Sequence, residues 1–227
     1  DTPQIDTPHS RRRVSLADYE FADLIDQQDK VRLLIDPTSS YAQAAAYAMG
    51  RAMDDVIISA ATGQAFTGET GSGTENAQTA IAANVGSTTG LNIPKLAKAK
   101  ETFDKADVDP SIPRHLIVSP EQINNLLNVT EVTSSDFNTV KALVQGDIDT
   151  FLGFKFTVSN RLAKAGNDRT CIAFAQDGIT LAIGKDVNAR IDERADKSYA
   201  TQVYYCMSIG ATRMEQSKVI GITCTEA

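Results

Sequence analysis

Residues 11–62 read RRRVSLADYEFADLIDQQDKVRLLIDPTSSYAQAAAYAMGRAMDDVIISAAT, and this stretch decides the fold. Its second half predicts one long helix from Thr38 to Thr62, because a Thr or Ser cap follows Asp36-Pro37 and the next residues are rich in alanine. Apolar residues recur there at a spacing of three or four and form one stripe, made of Ala42, Ala45, Met49, Met53, Val56 and Ala60. Gly63 is expected to end the helix as a left-handed cap.

The first half of the stretch is an arm of alternating apolar and polar residues from Val14 to Ile35. The alternation predicts two strands, with a turn at Asp26–Asp29. Because a lone two-stranded hairpin is marginal in water, we expect this arm to be covered by a neighbouring copy of the chain. The residues expected at such a contact are Arg11, Arg12, Arg13, Val14, Leu16, Tyr19, Phe21, Leu24, Val31 and Leu33 on the arm, and Arg51, Asp54 and Asp55 on the polar side of the helix.

Downstream of the helix the pattern is mixed. Residues 63–90 are rich in Gly, Ser, Thr and Asn and are predicted to be loop, whereas Asn92 and Ser119 read as caps of two further helices. A fourth helix is predicted at 138–145. From Ile148 the period changes to two, which predicts antiparallel strands with a hairpin turn at residues 176–178. The whole pattern is α+β.

Composition and charge narrow the function classes. The net charge of −7 and the scattered basic residues argue against specific nucleic-acid binding, although an acidic shell could still enclose DNA. Cys171, Cys206 and Cys224 have no CxxC spacing and are expected to be buried, reduced thiols. No apolar run is long enough to cross a bilayer, and no leader for secretion is evident. The first residue is Asp1, which fits a processed or trimmed chain.

No group of residues predicts catalysis. Gly68–Thr74 is similar to part of a phosphate-binding loop, but Thr74 stands where that loop has its lysine, and a helix precedes it where a strand is required. His9 and His115 lie far apart without the setting of a catalytic triad, and no metal-ligand spacing exists. We therefore expect no catalytic residue, no cofactor and no metal.

Four stretches in order resemble a known family. They are the arm at residues 11–35, the helix at 38–62, the segment FLGFKFTVSNRL at 151–162, and residues 184–213. Their order and spacing are similar to those of the major capsid proteins of tailed phages, which have the Hong Kong 97-like fold.

The resemblance implies a domain plan and partners. Residues 1–10 would be a remnant of the N-terminal arm, 11–36 the extended loop, 37–90 with 186–227 the peripheral domain around a long spine helix, and 91–185 the axial domain. It also implies self-assembly into hexamers and pentamers of an icosahedral shell around double-stranded DNA, which is contacted non-specifically. Portal, scaffold and decoration proteins would be further partners. The chain would be found in the virion capsid after assembly in the host cytoplasm, with no membrane contact.

Two alternatives stay open at this point. An encapsulin-like bacterial nanocompartment shell would use the same fold around an enzyme cargo. A cytosolic nucleotide-using enzyme would instead be built around Gly68–Thr74.

Overall fold

The computed structural model describes residues 10–26, 38–71, 73–75, 79–86, 89–128 and 150–226. These residues form an α+β structure that divides into two compact units. Unit 1 contains the described parts of 1–13, 58–180 and 212–227, and unit 2 contains those of 14–57 and 181–211.

A mixed seven-stranded sheet dominates unit 1. Its strands β5 (Thr79–Ile81), β13 (Val219–Thr225), β10 (Asp168–Ala175), β6 (Arg114–Val118), β8 (Phe154–Val158) and β7 (Thr150–Phe151) follow in this order, and β9 (Lys164–Ala165) pairs with β10. β13 and β6 flank β10 as antiparallel neighbours, whereas β5 and β8 pair in parallel with β13 and β6. β6, β10 and β13 are therefore the central strands, and their apolar runs supply the core.

Two helices of unit 1 begin where the sequence predicts. α2 (Ile93–Lys105) is capped by Asn92, whose Oδ1 accepts from Lys95 N at 2.9 Å. α3 (Pro120–Leu127) is capped by Ser119, whose Oγ accepts from Gln122 N at 3.4 Å. Leu96, Ala99 and Phe103 of α2 and Leu126 of α3 are fully buried in the main hydrophobic core.

A second, small sheet of unit 1 consists of β1 (Arg12–Arg13), β3 (Ala65–Thr67) and β4 (Gly73–Glu75). Its two strand pairs are antiparallel, with Arg13 opposite Phe66 and Phe66 opposite Thr74. Residues 63–90, predicted to be loop, thus include β3, β4 and β5, so that prediction is wrong for these segments. Three-residue strands carry too little alternation to be recognised from sequence.

Unit 2 contains a three-stranded sheet of β11 (Ile179–Arg194), β12 (Ala200–Arg213) and β2 (Ala17–Ile25), in that order. Short 3₁₀ turns at Ala195–Lys197 and Gln216–Lys218 precede β12 and β13. The helix α1 (Thr38–Thr62) has the predicted bounds, and Met49, the most buried of its methionines, packs on Met207 and Ile209 of β12. These three residues form the centre of a small hydrophobic core.

One feature differs from the sequence-based expectation, and two others stay predictions. Residues 176–178 do form a turn, with Gly178 N bonded to Ala175 O at 2.8 Å, but β10 and β11 lie in different sheets and make no hairpin. The compact units divide the chain at 14, 58, 181 and 212, and the domain plan implied by the resemblance stays a prediction. The helix predicted at 138–145 lies outside the described residues.

Candidate assembly surfaces

The first strand of the predicted arm, β2, belongs to the sheet of its own chain. It pairs antiparallel with β12 over nine residues, from Ala17 opposite Ile209 to Ile25 opposite Thr201. Tyr19 and Phe21 face α1 and pack on the small core of unit 2. Both side chains are thus half-buried within their own chain, and their contact with another copy stays a prediction. The second predicted strand, with Val31 and Leu33, lies outside the described residues.

The other face of β2 carries the apolar residues that its own chain leaves exposed. Successive side chains of a strand point to opposite faces, so Leu24 points away from Tyr19 and Phe21. Leu24 is 42% exposed, and Leu16, just before the strand, is 50% exposed. Val14 is half-buried. Leu16 and Leu24 therefore remain candidates for a contact between copies.

Polar groups share this face of the sheet. Tyr204 Oη donates to Glu20 Oε1 at 3.0 Å, and this bond raises the pKa of Tyr204 to about 12. On the neighbouring strand, Lys185 Nζ lies 3.1 Å from Cys206 Sγ. The face is thus a mixture of apolar and hydrogen-bonded polar groups, as expected for surface that contacts protein without being a permanent core.

The three arginines at residues 11–13 have different surroundings. The Arg12 side chain is only 9% exposed, forms an ion pair with Glu75 at 3.0 Å and donates through Nε to Met214 O at 2.6 Å. Arg12 therefore stabilises its own chain, and its role at a contact between copies stays a prediction. Arg13 is exposed and donates to Thr70 O at 3.3 Å. Arg11 is exposed and lies 3.9 Å from Glu69, so it remains available to a partner.

On the polar side of α1, two of the three predicted contact residues are exposed. Arg51 and Asp54 are exposed, whereas Asp55 is half-buried. Tyr47 lies one turn before Arg51 and is 67% exposed, the largest value among the bulky apolar residues described. Tyr47 was not among the predicted contact residues. Its position outside the apolar stripe was the available signal.

A further exposed surface lies on β11, which the sequence analysis did not identify as a contact. Ile183 is 52%, Val187 37% and Ile191 50% exposed, and their spacing of four residues places them on one side of the strand. The available signal in the sequence was the recurrence of a large aliphatic residue every four positions, at Ile183, Val187 and Ile191.

The described residues contain no group of acidic, His and Cys side chains that could hold a metal. Gly73 and Thr74 lie in β4, so the glycine-rich segment leads into a strand and not into a helix whose N-terminus could bind phosphate. His115 stacks on Phe174 with ring centres 5.4 Å apart, and burial, followed by the charge of Lys155, lowers its pKa. β3 ends at Thr67, directly before Gly68, so the expectation that a helix precedes this segment is wrong.

Buried charged groups are structural. A cavity of about 600 Å³ in unit 1 is lined in part by Asp104 and Arg114, which are bonded to each other at 2.8 Å. The fully buried Lys95 donates to the carbonyl oxygens of Thr89, Gly90 and Thr223 at 2.6, 2.8 and 3.1 Å. Burial lowers the pKa of Lys95. All three cysteines are free and buried, as predicted.

Another buried ionic group of unit 1 is centred on Glu226. Glu226 is 2% exposed and accepts from Ser119 Oγ at 2.6 Å and Arg169 Nε at 2.8 Å. Burial opposes ionisation of this carboxyl, but the hydrogen bonds from Ser119 and Arg169 outweigh it and lower the pKa. Glu226 and Lys95 were not recognised from the sequence, because the donors to Glu226 and one acceptor of Lys95, Thr223 O, are distant in sequence. No helix among the described residues is long and apolar enough to span a membrane.

Comparisons with known proteins identify the fold and the family. A search of curated proteins found no similar sequence. Among solved structures, the capsid of cyanophage P-SCSP1u aligns with a TM-score of 0.69 at 14% identity, over 100% of this chain and 79% of that chain. The capsid of Helicobacter pylori bacteriophage KHP30 aligns with a TM-score of 0.68 at 11% identity, over 93% of this chain and 76% of that chain.

A third structure, from Mycobacterium phage Che8, aligns with a TM-score of 0.64 at 19% identity, over 91% of this chain and 70% of that chain. These likenesses show that the α+β fold is the Hong Kong 97-like capsid fold. A family model described as phage capsid protein matches residues 1–226. The chain belongs to the phage capsid protein family, as a structural, non-enzymatic major capsid protein.

Proposed function

We propose that this chain assembles with copies of itself into hexamers and pentamers, which close into an icosahedral shell around the double-stranded DNA of a tailed phage. The observation that carries the proposal is the exposed apolar surface of unit 2, on Leu16 and Leu24 and along β11. Large exposed apolar residues gathered on one element indicate contact with protein, and membership of a capsid family names that protein as another copy.

Burial separates the residues that stabilise the subunit from those that are free to contact other subunits. Arg12, Tyr19 and Phe21 stabilise the subunit itself, whereas Arg11, Leu16, Leu24, Arg51 and Asp54 remain exposed for subunit contacts. Each such contact is weak, but a subunit with several neighbours gains from all of them together. Shell stability is then a collective property.

The peripheral and axial roles belong to the same proposal. The domain bounds are those implied by the resemblance, residues 37–90 with 186–227 for the peripheral domain and 91–185 for the axial domain. Portal, scaffold and decoration proteins would complete the head, which would assemble in the host cytoplasm. The net charge of −7 fits a wall that contacts packaged DNA only weakly.

The direct test compares Leu24→Asp with the unchanged chain. Leu24 contacts solvent over 42% of its surface, so the variant should keep the far-ultraviolet circular dichroism spectrum of the subunit. A charge buried at a subunit contact is costly, so we expect closed shells to be lost in electron micrographs. Ala97→Asp, on the exposed side of α2, is the control for one added negative charge. Normal shells from Leu24→Asp would remove this face from the proposal.

Deletion of residues 11–35 would be a poorer test of the arm. It would remove Arg12 and all of β2, and with them an ion pair and nine paired residues of the subunit's own sheet. Loss of shells after that deletion would then report misfolding of the subunit.

A further inference from the structure

The strand β11 is an edge of its sheet among the described residues. One side of its backbone pairs with β12, and no described strand covers the other side. The strand has 16 residues, and residues 183–193 are all exposed. It contains no proline. A long, exposed edge with unpaired backbone groups is a template for pairing with another chain.

The side chains of β11 carry a pattern along one face. At alternate positions this face presents Ile183, Lys185, Val187, Ala189, Ile191 and Glu193. A positive charge thus stands near one end and a negative charge near the other, with apolar residues and one small residue between them. Such a pattern complements a second copy of itself only when the second copy runs in the opposite direction.

The geometry points to a single register for that pairing. With Ala189 opposite Ala189 of the second copy, Val187 lies opposite Ile191 and Lys185 opposite Glu193, and each pair occurs twice. A parallel arrangement in register would instead place each charge beside its own copy. Shifting the antiparallel register by two residues would set Lys185 opposite Ile191 and lose the ion pairs.

The opposite face of the strand is compatible with this register. Asp186 lies opposite Asp192 of the second copy, which alone would be unfavourable. Arg190 lies two residues from Asp192 in its own strand and diagonally across from Asp186 of the second copy, so a positive charge adjoins both carboxylates.

We propose that β11 pairs antiparallel with β11 of a second copy, across a two-fold axis at Ala189. The pairing is isologous, so one surface serves both partners. The inference rests on the proposed function because it takes the second copy as the partner, and it names one of the contacts that the shell would use.

Cysteine crosslinking tests the axis. In a Cys206→Ser background, the full chain carrying Ala189→Cys is allowed to assemble, oxidised mildly and run on a non-reducing gel. We expect most of the subunits to migrate as covalent dimers, because two-fold related β-carbons at directly opposed positions lie within reach of a disulfide. Val187→Cys is the matched control: its own copy would lie about 14 Å away along the strand, which a disulfide cannot span.

Charge exchange tests the register. Glu193→Lys, added to Ala189→Cys, should lower the yield of dimer at least threefold, and the further change Lys185→Glu should restore it. Particles that form without crosslinking through Ala189→Cys, or that crosslink equally through Val187→Cys, would overturn the strand pairing and leave the shell proposal intact. Crosslinked dimers without particles would support the strand pairing and count against the shell.

Discussion

Replacing Arg213 by methionine tests how the long helix is held at its C-terminal end. The Arg213 side chain is fully buried, and its Nη1 donates to Ala61 O at 3.1 Å and Gly63 O at 2.9 Å. A third bond, from Nη2 to Glu75 O, is longer at 3.4 Å. The last carbonyl groups of a helix have no partner within the helix, so this guanidinium satisfies them and also opposes the negative end of the helix dipole.

The expected decrease in the free energy of unfolding follows from these contacts. A hydrogen bond to a charged group contributes about 1.5–3 kcal/mol, and two good ones are lost. The cost of burying the guanidinium is recovered at the same time, and methionine keeps most of the aliphatic packing. We therefore expect Arg213→Met to lower the free energy of unfolding by about 3 kcal/mol.

Arg194→Met is the matched control. Arg194 donates to Asp196 at 2.7 and 2.6 Å, distances shorter than those of Arg213, but its side chain is 43% exposed. Exposed ion pairs contribute little because water and salt screen them. Urea unfolding of the unassembled subunit, followed by circular dichroism, should show a large loss for Arg213→Met and a small one for Arg194→Met. Equal losses would refute the argument that burial, and not bond length, determines the contribution.

Four further substitutions give separable outcomes. Gly50→Ala should raise unfolding stability by about 1 kcal/mol, because the site is inside a helix and no atom would lie within 4 Å of the added methyl group. Gly210→Ala should lower it in the same urea titration, because its methyl group would lie 2.3 Å from Ser15 O. The pKa of His115 is lowered, so the folded state binds fewer protons than the unfolded state, and the free energy of unfolding falls as pH drops below about 6.5. His115→Phe should remove this pH dependence. The pKa of Glu226 is lowered, so the ionised carboxylate stabilises the fold above about pH 4.3, and this contribution is lost as pH falls through the folded pKa. Glu226→Gln should lower the free energy of unfolding at neutral pH and reduce its dependence on pH below about 4.3. Unchanged pH profiles for the last two variants, or equal effects of the two glycine changes, would contradict these assignments.

Local signals in the sequence predicted local structure well. The bounds of α1, the caps Asn92 and Ser119 and the strand β13 all follow from residues within a few positions of one another. Gly63 shows where such a signal can mislead. It is not among the glycines with positive φ, and its role is close approach, because an added β-carbon would lie 2.8 Å from Ser59 O.

Partners that are distant in sequence could not be predicted. The alternation in β2 showed which side chains share a face, but not that β12, far along the chain, supplies the hydrogen bonds. Lys95 has the sequence context of a surface lysine, yet it binds the carbonyl group of the distant residue 223 as well as those of the nearby residues 89 and 90. Exposure of β11 was missed for the same reason, because which strand stands at the edge depends on the whole sheet order. The resemblance to capsid proteins depended on the order of the elements, which does not require knowing the partners of individual residues.

The central claim is that this chain is built to bind copies of itself in a closed shell. Purification of the full chain, followed by light scattering and negative-stain electron microscopy, measures this directly. The account predicts uniform, closed particles of megadalton mass. A solution that contains only monomers of 24.4 kDa, under conditions where the fold is intact, would contradict it.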